Sequence, residues 1–554
     1  MILTTKKRAI TRTASAIIIV VIIVIAGGAV YFFGVVGPQN NSSTTSSGGS
    51  VSRDLVVGTT QKMRWLDSQL ISNSIEVLVG SQIFEPLLRN NPTTGVPEPW
   101  LAKSMDVSPD GLVYTFHLRT GITFTDGAPF NAEAVKSSFL RDFANPQSLA
   151  SFVGNLLAGA NSSNLAASTA NSIVVADDNT VAFHLSEPFS PAPYIFAMEN
   201  TGVSSPLHNN ATLDQYVGTG PFKFVSWTRD DNVKLVPNTN YWNSTNQSPY
   251  VKSLTFKFFS SATAMQSALQ TDTIDVALWD FTPTQVNNLV QDTSLKHLTG
   301  ELGRFVAIDL NNNTASSPLN NPLVRQAIAY AINGTQIMKT VYGSTAVQSE
   351  TLMPPNYPYV TQAFAQAYPY SPDKAKQLLA QAGYANGFST TLWYSPTQYG
   401  EAETPFVTLV QQQLAKVGIT VTLNPVEITA FIQGARKGLP PMLSFHWIYD
   451  YFGPYQYLWN IMQPGPTGFW SKFMGYNDSQ SALLLQEIAQ STDPSKLPNL
   501  YSQLQQRAVY TIPLVPVGFL QDNYFTQTYV SGLQVSFLGS SACGALFAHV
   551  TFSS

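Results

Sequence analysis

The chain has 554 residues, more than one hydrophobic core usually supports, so two or more lobes are expected. Charged residues make up only 11% of it, against roughly a quarter of an average soluble protein, so uncharged polar groups must carry most of the surface. Four of the 29 basic side chains (Lys6, Lys7, Arg8 and Arg12) precede the first apolar segment, leaving 25 against 33 acidic ones. That balance excludes a nucleic-acid surface, which needs a basic stripe to displace counterions from phosphates.

The lone cysteine, Cys543, rules out an intrachain disulfide and a thiolate metal cluster. In "SSACGAL" it reads as a small apolar side chain.

In chain order, residues 1–13 form a basic segment and Ala14 to Val36 a nearly unbroken apolar run. At about 1.5 Å per residue that run is long enough to cross a hydrocarbon layer of about 30 Å. The basic cluster should stay in the cytoplasm, which places everything after the run outside the cell. Because the run exceeds the usual apolar core of a cleaved signal peptide, a retained anchor is expected. Residues 37–53, with "PQNNSSTTSSGGSVS", are too polar to bury anything and read as a flexible spacer. Glycosylation acceptors of the Asn-x-Ser/Thr type stand at Asn40, Asn41, Asn161, Asn210, Asn243, Asn246, Asn312, Asn333 and Asn477.

From Asp54 onward, β-type runs such as "LVVGTT", "VYTFHL", "TVAFHL" and "LTFKFF" alternate with helical stretches, a mixed α/β pattern. Ser371 as N-cap, Pro372 in the first turn, apolar Ala375, Leu378, Leu379 and Ala382, and Gly383 as a stop predict one helix. Next come a strand at Thr390 to Tyr394, a helix carrying Phe406, Leu409, Val410, Leu414 and Val417, and a strand at Ile419 to Leu423. A helix near Ile428 to Lys437 and a strand at Met442 to His446 complete a βαβαβ series, hence a parallel sheet.

Open α/β sheets hold ligands at the carboxyl ends of their strands. Here those ends carry Trp393 and Tyr394, then Asn424 and Glu427, then "HWIYDYFGPYQYLW" from His446 to Trp459. So many flat rings in one segment read as a pocket wall, the alternative being a loop packed on its own core. Asp450 is the only acidic residue in the segment, and a carboxylate among rings needs a partner: a ligand ammonium, sugar hydroxyls, or an internal hydrogen bond.

At this point the chain resembles the dipeptide/oligopeptide-binding family of solute-binding proteins, extracellular solute-binding family 5, from about Leu55 to the C-terminus. The stretch from Ile83 to Phe139 carries the longest match, with Asp110-Gly111, Leu118-Arg119, Gly121, Phe124, Asp126-Gly127 and Ala132-x-x-Val135 at the family spacing. "VGTGPFKFVSW", "NPLVRQAIAYAIN" and "YSPDKAKQLLAQAGY" follow in family order. Most of these motifs serve turns and close packing, so they identify the fold and do not mark the site. The segment from Trp447 to Pro454 is similar to the family's W-x-x-D-Y-x-D-P element, with Asp450 in place of the Asp that meets a peptide's α-amino group. Gly453 departs from that element, and "WLDS" from Trp65 to Ser68 lacks the proline usual after Leu-Asp. Arg8-Ala9-Ile10-Thr11 also resembles the prepilin-type signal of archaeal members, which would be cut after Ala9 and leave the apolar helix in place.

The resemblance implies a two-lobed periplasmic-binding-protein-like fold (class II, Venus-flytrap) with mixed sheets. Residues 54–303 would form the first lobe, with a subdomain inserted at about 81–215; residues 304–516 would form the second, and 517–554 would return to the first. It implies an oligopeptide or oligosaccharide gripped between the lobes by Asp450, Trp447, Tyr449, Tyr451, Trp393, Tyr394 and Trp65. Delivery would go to an ABC permease with its ATPase, without a cofactor. A tethered glycoside hydrolase would need two carboxylates, for which Glu427 and Asp450 are candidates. Against an enzyme, the chain has no GxSxG elbow, no HExxH helix and six scattered histidines. An adhesive surface protein is the third class, one that needs no crevice.

Overall fold

The short β-type runs become strands, and two long strands organise the rest. The computed structural model describes residues 53–554 apart from 72, 146–147, 149, 209–214, 248–249, 313–316, 356, 397–400, 448–452, 466–470, 472–473, 536–544 and 554. The expected anchor and spacer therefore lie outside the described residues. Among the described residues, no helix is long and apolar enough to cross a membrane.

The long strands Leu295–Leu310 and Leu514–Gln527 run antiparallel along most of their length. Leu295 to Gly300 pairs with Asp522 to Gln527; the register then slips, and Arg304 to Asp309 pairs with Leu514 to Leu520. Each end joins a different half of the main sheet. At one end Leu514–Gln527 meets Val276–Ala277, which leads to Asp54–Thr59, Ser253–Phe258, Asn232–Pro237 and Phe222–Thr228. At the other, Leu295–Leu310 pairs with Met442–Trp447, followed outward by Phe388–Tyr394 and Ile419–Pro425. The two halves, or lobes, thus share a pair of crossing strands with an irregularity at the crossing.

In the second lobe the βαβαβ series forms as expected. Phe388–Tyr394 lies parallel to both Ile419–Pro425 and Met442–Trp447, with helices Glu403–Ala415 and Ile428–Arg436 as the crossovers. The preceding helix, Pro372–Gln381, begins where Ser371 accepts the backbone N–H of Lys374, and it buries Ala375, Leu378 and Leu379. The sheet is buried on both faces. Phe305 and Ala307 belong to one core cluster, while Val306, Ile308 and Leu310 of the same strand belong to another, because successive strand residues point to opposite faces.

The first lobe carries a separate antiparallel sheet of four strands, ordered Ala102–Val107, Val113–Leu118, Thr180–His184 and Ile173–Asp177. Helix Ala132–Phe143 packs on it. Phe116, Phe139, Phe183 and Phe196 meet edge to face at centroid distances of 4.8 to 6.2 Å, the arrangement ring quadrupoles prefer. Gly218 and Gly220 let two chain segments touch: a Cβ at either position would lie within 2.7 Å of the Ile83 carbonyl oxygen.

Candidate ligand cleft

The carboxyl edge of the second-lobe sheet is built on strand Met442–Trp447. Phe445 and Trp447 face the cluster that also holds Tyr357, Tyr457 and Phe431; Ser444 and His446 face the other way. There Glu403, in the first turn of its helix, accepts the Ser444 hydroxyl, and its Oε2 stands 2.8 Å from His446 Nε2. All three side chains are buried. Burial and the charge of Glu403 push the nearby Tyr342 phenol well above its ordinary pKa. The strand entering the aromatic segment is therefore held by polar contacts on one face and by rings on the other.

Trp447 is half-buried, 6.1 Å from the Phe445 ring and 6.2 Å from the Tyr457 ring. Trp393 joins the same cluster and packs against helix Ile428–Arg436, where a Cβ at Gly434 would meet its Cζ3 at 2.5 Å. Tyr394, its neighbour, points to the opposite face and is buried among Leu392, Phe406 and Val410. Two consecutive strand residues cannot both line one crevice wall, and here Tyr394 belongs to the core. Tyr449, Asp450 and Tyr451 lie outside the described residues.

Trp65 is 44% exposed in the loop after the first strand. Buried Glu76 holds that loop by accepting the backbone N–H of Arg64 at 2.7 Å and of Trp65 at 3.1 Å. It also completes a capping box with Asn73. Two residues on, Asp67 is buried against Arg141 and accepts from Gln69 Nε2 at 3.1 Å. Beside them, burial drives the Asp142 carboxyl well above the usual range. The structure thus brings Trp447 and Trp393 into one cluster and leaves Trp65 outside it, on a loop hydrogen-bonded to Glu76.

Glu427 is exposed and caps its own helix by accepting the Thr429 N–H at 2.8 Å. Among the described residues no group of His, Cys, Asp or Glu could hold a metal ion. An open cavity of about 480 Å³ lies elsewhere on the second lobe, between Asn333, Gln348, Glu350 and Tyr370, and contains none of the candidate residues.

Besides Glu76, two further buried carboxylates escaped the sequence reading. Glu403 is one. The other is Glu85, whose buried carboxylate accepts from Trp100 Nε1, Tyr241 OH, Trp242 Nε1 and Thr219 Oγ1 at 2.7 to 2.9 Å. An isolated acid inside an apolar run, as in "IFEPLL", is the signal that points to such a group.

Residues 96–469 match the model of the bacterial extracellular solute-binding proteins, family 5. The chain belongs to this family. Heme-binding protein A of Haemophilus influenzae is 30% identical over 452 residues, covering 76% of this chain and 78% of that protein. The glutathione-binding protein GsiB of Escherichia coli is 30% identical over 398 residues, 70% of this chain and 71% of its own. In structure, the ABC transporter-associated periplasmic binding protein DppA from Helicobacter pylori, in complex with peptide STSA, superposes with a TM-score of 0.72 at 26% identity. That superposition covers 91% of this chain and 99% of DppA. The chain is a solute-binding protein of the ABC importer type, with the mixed α/β, two-lobed fold of these relatives.

Proposed function

We propose that the protein captures a short peptide outside the cell, between its two lobes, and hands it to a membrane permease driven by a separate ATPase. The observation that carries this reading is the pair of crossing strands with a register slip between Gly300 and Arg304: two lobes so joined can rotate about the crossing. A solute touching both would then shift the ensemble toward closure. Residues 54–303 and 304–516, with 517–554 returning, serve as the lobes.

A peptide is favoured over an oligosaccharide because the GsiB relatives are named for glutathione and DppA was solved with a tetrapeptide. Asp450 receives the ligand's ammonium, and Trp447, Tyr449, Tyr451, Trp393 and Trp65 supply ring surface. The apolar run Ala14 to Val36 keeps the protein tethered, and the protein performs no chemistry on its cargo. A thermal-shift screen of di- to hexapeptides, glutathione and oligosaccharides tests this. A ligand at 100 times its dissociation constant adds about 2.7 kcal/mol of stability. Stabilisation by oligosaccharides alone reverses the ligand class, and stabilisation by none of them removes the reading.

A further inference from the structure

The loop leaving the four-stranded sheet of the first lobe reaches the second lobe directly. The backbone N–H of Ser190 donates to the Ala489 carbonyl at 2.6 Å, and its hydroxyl donates to the Ile488 carbonyl at 2.7 Å. Both carbonyls lie in the last turn of helix Ser479–Gln490, where no further turn of helix follows and the Ile488 carbonyl also accepts the Ser491 N–H at 3.3 Å. A residue of one lobe thus caps a helix of the other. Beside it the Phe189 ring meets the Tyr455 ring edge-on at 5.6 Å, and the Gln490 amide donates to Glu187 at 3.1 Å. The loop is braced from behind, since the Tyr114 hydroxyl donates to the Phe189 carbonyl at 2.9 Å.

None of these contacts is part of the crossing strands, and only Tyr455 among the residues named belongs to the aromatic segment. Rotation about the crossing would pull Ser190 away from Ala489 and part the two rings. We propose that Phe189 and Ser190 form a latch between the lobes, positioning residues that stabilise the closed form without touching the solute and so set how slowly the solute leaves. This rests on the proposed capture between lobes. The latch acts on dissociation because its contacts hold the closed form, which the chain also samples without solute, while encounter with the solute takes place in the open form.

The test uses the full chain, as wild type, Phe189→Ala and Ser190→Ala, with the peptide Ser-Thr-Ser-Ala and glutathione as probes. Hydrogen exchange without ligand reads the amide of Ser190. Surface plasmon resonance reads association and dissociation rates, and melting temperature checks the fold. Loss of an aromatic pair or a hydrogen bond should raise dissociation about five- to tenfold and leave association within about twofold. The Ser190 amide should be protected in the wild type and exchange about tenfold faster in Phe189→Ala. If Phe189→Ala unfolds the subdomain, Phe189→Leu keeps most of the apolar volume and removes only the ring pair with Tyr455. Unchanged dissociation rates, or wild-type exchange at Ser190 as fast as in an exposed loop, overturn the latch. If neither probe binds, the peptide reading fails and the exchange result alone decides on the latch.

Discussion

His446 Nε2 and Glu403 Oε2 stand 2.8 Å apart with both side chains shut off from solvent, directly beneath the point where the chain enters its aromatic segment. Removing Glu403 takes away the acceptor of the buried Ser444 hydroxyl and a carboxylate facing the buried His446 ring. Glu403→Ala should therefore cost about 1–3 kcal/mol in urea unfolding. Glu403→Leu combined with His446→Phe, which removes both groups, should cost clearly less than the two single changes added together. Simple additivity would show that the two side chains do not act as a pair.

Glu85 gives a pH prediction. Burial raises its pKa above 4.5, outweighing the four neutral donors that lower it. A carboxyl whose folded-state pKa is raised binds its proton more tightly when folded. Its stabilising contribution is full below 4.5 and is lost as pH rises through the folded value. Wild type should thus gain melting temperature relative to Glu85→Gln as pH falls from 7 toward 4.5, and a difference that stays flat across this range would contradict it.

Asp478 should behave in the opposite sense. The Arg507 guanidinium, 2.9 Å away through Nε, holds its carboxyl below 3.8. Its contribution is present above 3.8 and is lost as pH falls through the lower folded value. Asp478→Asn should narrow the stability gap to wild type only in acid below pH 4, as read by thermal unfolding.

Trp65 and Tyr394 separate surface from core. Trp65→Ala, at an exposed ring, should leave unfolding free energy within about 0.5 kcal/mol, while weakening any peptide found in the screen. Tyr394→Ala removes a buried ring and should cost about 3–5 kcal/mol. Equal destabilisation by the two would place Trp65 in the packing.

Asp450→Ala should keep the melting temperature and weaken peptide binding by at least about 1.5 kcal/mol, the lower range for a hydrogen bond to a charged group. Calorimetry with the best peptide from the screen reads it directly. An unchanged dissociation constant takes Asp450 out of the site.

The local grammar of the chain was legible by itself. Ser371, Pro372 and Gly383 bracket a helix because capping and backbone preference act over one turn, and the βαβαβ series stands where its apolar spacing placed it. The motif order placed the chain among the solute-binding proteins. Side-chain direction was not legible in the same way. "MLSFHW" is apolar or buried at nearly every position, so no alternation marks which residues face the rings and which face Glu403. The pairing of Trp393 with Gly434, the burial of Tyr394 against Phe406, the four donors around Glu85 and the meeting of Ser190 with Ala489 join residues 12 to 299 positions apart. Helix propensity and turn chemistry decay within a few residues. Which distant groups become neighbours is settled only when the two lobes pack and burial forces each polar atom to find a partner.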